Sequence, residues 1–159
     1  MKMNIENIIQ GIVGTMGIGY LYETVYGANI ELDKIVRDKQ RNIANEVDLP
    51  AAVNILATSG SFDFNDGQYH DEIREMQNIR ILFLDQMKHD DKLDQDDVTL
   101  IERLKEYARD FIKRMAKSGK FFNIERYNWQ IRLNAFDANV GVFELTATVK
   151  EYVGTCVDE

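Results

Sequence analysis

The sequence predicts an α+β domain: a mostly antiparallel β-sheet with helices packed on one face, closed by a C-terminal hairpin. Three observations carry this reading. In "DVTLIERLKEYARDFIKRMAKSG", Val98, Ile101, Leu104, Ala108, Phe111, Ile112 and Met115 fall on one stripe at helical spacing. In "FFNIERYNWQIRLNAF" and "VGVFELTATVKEYV", apolar and polar residues alternate, as in paired strands with one wet face. Between these patterns and the N-terminus, "EIREMQNIRILFLDQM" alternates and then turns apolar on both faces at "ILFL". That marks a strand buried on two sides at its far end.

Taken in order, residues 4–13 place Ile5, Ile8, Ile9 and Ile12 at helical spacing behind a capping Asn4. Gly11, Gly14, Gly17 and Gly19 follow and are expected to end the helix in a loop. They do not form a dinucleotide fingerprint, which needs a preceding strand and a third glycine where Tyr22 stands. "YLYETVYG" is rich in β-formers and reads as a short strand. A second helix is expected over "NIELDKIVRDKQRNIANEV", capped by Asn29 and turned inward through Ile30, Ile35, Val36 and Ile43. Leu49-Pro50 ends it. "AAVNILATSGSFDFND" holds two strands hinged at Ser59-Gly60, with a turn at Asp66-Gly67. The buried strand, the long helix and the hairpin joined by "DANVG" complete the chain. Gly119 stands where a C-terminal glycine cap belongs. No repeat or linker divides residues 1–159, so they read as a single domain.

Charge narrows the functional classes. Asp and Glu outnumber Lys and Arg by 27 to 19, a net charge of −8, and the short basic clusters are interrupted by acids. Gripping a nucleic-acid duplex requires a basic stripe, so an acidic channel wall past which DNA slides suits this balance better than a clamp. Cys156 is the only cysteine and reads as a small apolar residue of a reducing compartment. The apolar stretch "IIQGIVGTMGIGYLY" is too short to span a bilayer and carries no basic leader, so neither export nor an anchor is expected.

The densest chemistry lies in "HDDKLDQDD", with five aspartates: Asp90, Asp91, Asp94, Asp96 and Asp97. A calcium loop fails in either register. Starting at Asp91 puts Leu93 at the third position and Asp96 where glycine must turn; starting at Asp90 puts Lys92 third and Ile101 last. A helix approach explains the acids better, with Asp96 or Asp97 capping the long helix and the others favouring the positive end of its dipole. A loose cation site and an acidic edge facing protein or DNA are the alternatives. Elsewhere the chain offers no nucleophile elbow, Walker loop, HExxH or cysteine–histidine zinc spacing. Of the two histidines, His70 and His89, the first lies in "QYHDE" and reads as a surface residue; Tyr127 and Trp129 read as core rather than a base-stacking platform. No catalytic residue, cofactor or metal site is expected.

The N-terminal helix, "LPAAVNIL", "EIREMQNIRILFLDQM", "LIERLKEYARDFIKRM" and the closing "FDANVGVFELTATVKEYVGTCV" together resemble the tail-completion proteins of tailed bacteriophages, the tail terminator and neck group. The likeness lies in the order and texture of elements, and no residue role is carried over with it. It implies a structural virion protein, assembled in the bacterial cytoplasm. Such a protein forms a homo-oligomeric ring between portal, neck or tail-tube neighbours, with DNA passing through the lumen and no membrane involved. A terminator would be hexameric, a portal-side adaptor more often twelve-fold. On that reading the acidic loop, or the "DANVG" turn with Asp137 and Asn139, faces the lumen or a neighbouring ring. Neutralising the five aspartates is then expected to alter ring stacking or DNA passage and leave the fold intact. The competing class is a monomeric, immunity-like binding module whose acidic surface caps a basic partner; a hydrolase is a distant third.

Overall fold

The computed structural model describes residues 4–65, 72–87, 93–118, 122–136 and 138–151. The chain begins with helix α1 (Ile5–Thr15), where Asn4 accepts the Glu6 amide at 3.0 Å as expected of a cap. Gly11 and Gly14 do not break it. Each glycine costs a helix roughly 1 kcal/mol, and burial of Ile9, Ile12 and Val13 offsets that. The chain turns only at Gly17, whose φ of +74° suits a residue without Cβ. Strand β1 (Gly19–Glu23) follows, and then α2 (Val25–Gln40), capped by Thr24 rather than Asn29. Its buried face is Ala28, Leu32, Ile35 and Val36, while Ile30 and Ile43 are exposed.

Next come β2 (Ala51–Ile55), β3 (Gly60–Asn65) and the long β4 (Glu72–Gln86). Helix α3 (Gln95–Lys117) precedes β5 (Phe122–Asn123), β6 (Tyr127–Ala135) and β7 (Val140–Glu151). The sheet runs β1-β2-β4-β7-β5, with β3 lying against β4 and β6 against β7; only β1 and β2 are parallel. The expected α+β class and largely antiparallel sheet are therefore found.

The helices, however, cover both faces of the sheet. Parallel β1 and β2 need a crossover, and α2 supplies it on the face of Ala51, Val53, Ile55, Leu82, Leu84 and Val142. Because strand side chains alternate, α1 and α3 pack on the opposite face, against Ala52, Ile79, Ile81, Phe83, Phe143 and Leu145. Phe111 of α3 meets Phe83 edge to face, with ring centroids 5.7 Å apart. Arg114 ties α3 to α1 through a 2.9 Å bond to the Thr15 hydroxyl.

This two-layered cover stops short of two sheet regions. Residues 72–77 of β4 pair with β3, beyond the end of β2, and over 72–75, where β7 no longer pairs, the two form a two-stranded arm. At the other side of the sheet, β6 has β7 as its partner, and its outer edge has no strand against it among the described residues.

Candidate functional site

The acidic run resolves into a helix start. Asp94, not Asp96 or Asp97, is the N-cap of α3: its carboxylate accepts the Asp97 amide at 2.9 Å. Asp97 reciprocates by accepting the Asp94 amide at 3.2 Å, completing a capping box in which Asp97 is 2% exposed. Asp96 is exposed in the first turn, where a negative charge favours the dipole. Asp90 and Asp91 lie outside the described residues, as do Asp137, both histidines and Cys156. Asn139 holds the β6–β7 turn with a φ of +52°, its carbonyl accepting the Met87 amide at 3.1 Å. The structure thus gives Asp94 and Asp97 structural work at the start of α3. Among the described residues, no three His, Cys, Asp or Glu side chains gather where they could hold a metal ion. No helix of the described residues is long and apolar enough to cross a membrane.

A polar groove opens on the α2 side of the sheet, beside the N-terminus of that helix. It encloses about 840 Å³ between Thr24, Ser59, Asn78, Arg80, Arg126 and Thr148, among others. Its walls are cross-tied. The Thr148 hydroxyl donates to Asn78, and Asn78 donates to the Ser59 hydroxyl, each at 2.9 Å. Beside it, Glu144 is 4% exposed and clasped by two arginines. Arg80 donates to Oε2, while Arg132 Nη2 sits 3.0 Å from Oε1 as a charge contact without hydrogen-bond geometry. A buried carboxylate held this way orders the strands it bridges, β4, β7 and β6, rather than offering a reactive group. The described part of the molecule shows no nucleophile held by a base.

The tyrosines of the α1–α3 face are likewise structural. Burial pushes the Tyr127 phenol up to about 12. Burial also raises Tyr20, partly offset by the hydrogen bond that Asn54 donates to its hydroxyl at 3.1 Å.

What stands out instead is apolar surface at two sheet edges. On the arm, Phe62 is 71% exposed, Phe64 62% and Ile73 60%. The β3–β4 register puts all three on the α1–α3 side. On β6, Trp129 is 58% exposed, with Ile131 and Leu133 also exposed. The pattern Tyr127, Trp129, Ile131, Leu133 was expected to face the core. Only its first member is half-buried, because α3 reaches β4 and β7 but leaves β6 as an overhanging edge. Trp129 stacks on Phe143 at 5.3 Å, and the Lys105 ammonium lies 5.6 Å from its ring centroid. Alternation alone could not separate these residues from core. Their exposure is set by where the helical layer stops, which a period-two pattern does not encode.

No protein-family model matches this sequence, and no curated protein matches it either.

Proposed function

We propose that this protein is a structural assembly subunit. It closes head to tail into a homo-oligomeric ring at the head–tail neck or tail end of a tailed bacteriophage, joining tail to head while DNA passes through the lumen. The observation that carries this reading is the pair of exposed apolar edges at opposite sides of one sheet. An open sheet edge is a template for another chain, and beside their charged residues these two expose Phe62, Phe64 and Ile73 on one side and Trp129 and Ile131 on the other. The two edges differ from each other. Unlike surfaces that join copy to copy are heterologous, and such contacts generate rings when the rotation closes. The phage assignment rests on the order of elements that resembles the tail-completion group, and the net charge of −8 suits a lumen that does not hold DNA.

Native mass spectrometry across a concentration series tests the proposal. A discrete hexamer or dodecamer is the expected result, and its order chooses between tail-side and portal-side positions. A monomer at every concentration would overturn the ring and favour a one-to-one binding module.

A further inference from the structure

We infer that the ring contact is a strand-to-strand junction: the β3 edge of one copy pairs antiparallel with the β6 edge of the next. This rests on the ring reading and names its interface.

Direction supports it first. β3 runs antiparallel to β4, β4 to β7 and β7 to β6, so β3 and β6 point in opposite senses. A neighbour in the same orientation, as a head-to-tail ring requires, therefore presents β3 antiparallel to β6. Face chemistry agrees. On the α1–α3 side, Phe62 and Phe64 of β3 come beside Trp129 and Ile131 of β6. On the reverse side, Ser61 and Asp63 come beside Asn128, Gln130 and Arg132. Apolar residues thus meet apolar ones, and polar residues meet polar ones, with no side chain inverted.

Charge points the same way. Among its described side chains, the arm carries Asp63 and Glu75 against one cation, Arg74. The β6 edge carries Arg132, which also clasps Glu144, and Lys105 over Trp129; Arg126 stands just before the strand, next to a Glu125 that pairs with Lys150. Acid on one edge and base on the other complement each other between copies and oppose pairing of like edges.

Of the other edge strands, β5 is only two residues long, and β1 fits less well. Helices α1 and α2 both pack on it from opposite faces, Tyr20 is occupied with Asn54, and only Tyr22 adds exposed aromatic surface. Joining β3 to β6 also sets the strand slope. Phe62 lies level with Glu75 of β4, and Ile131, through Phe143, lies level with Phe83. Successive copies are then offset along the strands by eight residues, roughly 26 Å at about 3.3 Å each, so the strands cross the ring obliquely, as in barrels.

The experiment uses the full chain and two substitutions at exposed positions, Phe62→Asp on β3 and Ile131→Asp on β6, with Phe64→Asp and Trp129→Asp as alternates. Circular dichroism and melting confirm that each variant folds, and native mass spectrometry reads assembly. Each variant alone is expected to be monomeric where the wild type forms rings, with at least about tenfold weaker association. Mixed in equal amounts, the two should give a dimer and nothing larger, because one intact β3 meets one intact β6 and both outer edges are blocked. A wild-type ring with either variant assembling normally would overturn the edge pairing and leave the ring reading standing. A mixture that stays monomeric would overturn it equally. A monomeric wild type would remove both.

Discussion

Replacing Asp94 with alanine removes the acceptor for the Asp97 amide at the start of α3. The loss of a side-chain N-cap costs about 1 kcal/mol, with a range of roughly 0.5–2. Asp97→Ala loses the reciprocal bond to the Asp94 amide and a charge at the helix start, together again about 1–2 kcal/mol. Both residues serve one box, so the double variant should lose about 2 kcal/mol rather than the full sum. Asp96→Ala removes only an exposed charge near the positive end, about 0.3–1 kcal/mol. In a domain of 159 residues, 1 kcal/mol moves Tm by about 2–4 °C, so Asp94→Ala should melt roughly 2–4 °C below wild type. Thermal and urea unfolding, followed by circular dichroism at one fixed protein concentration, measure this free of shifts in self-association. If Asp94→Ala melted with the wild type, or Asp96→Ala cost as much as Asp94→Ala, the cap assignment would be refuted. Neutralising all five aspartates at once would therefore lower stability as well as remove surface charge. Asp96 alone, of the three described, is the clean probe of a surface role.

Tyr127 predicts an alkaline limb to stability. Its folded pKa of about 12 lies above the ordinary 10.0, so the folded state keeps a proton that the unfolded state releases in that window. The contribution is full below pH 10 and is lost as pH rises towards 12. Urea midpoints between pH 9 and about 12 should fall less steeply for Tyr127→Phe than for wild type, and equal slopes would exclude Tyr127 as the cause. For Glu144→Gln, Arg80 and Arg132 lose their shared counter-charge. Because both guanidiniums reach solvent, the expected loss is about 1–3 kcal/mol in urea unfolding rather than the larger cost of a fully buried pair. A variant as stable as wild type would show the clasp to be incidental.

The sequence reveals those elements whose local pattern and tertiary environment agree. Leu104, Ala108, Phe111 and Met115 lie buried on the predicted stripe of α3, and "ILFL" is buried on both faces of β4. The misplaced start of α2 has a local cause: Thr24 caps as well as Asn29 would, and burial of Ala28 and Leu32 decides between them. Val98, expected in the stripe, is 39% exposed, while Leu100, outside it, is buried, since the helix meets the sheet slightly rotated from the face that periodicity suggests. The parallel β1–β2 pair, and with it a helix on the second face, depends on long-range topology that no short window encodes. The same holds for the candidate site. The identity of Phe62 or Trp129 is plain in the sequence, but its exposure follows from where the neighbouring layers stop.

Trp129 is the chain's one tryptophan, and it sits on the edge assigned to the next copy. The protein therefore carries a native optical reporter at that junction. With its ring more than half exposed and the Lys105 ammonium over it, the free subunit should emit at long wavelength and be quenched readily by iodide. Docking a neighbour's phenylalanines there would shift the emission to the blue and shield the ring. Dilution of the wild-type chain, watched through this one fluorophore, thus follows the junction itself rather than the mass of the particle.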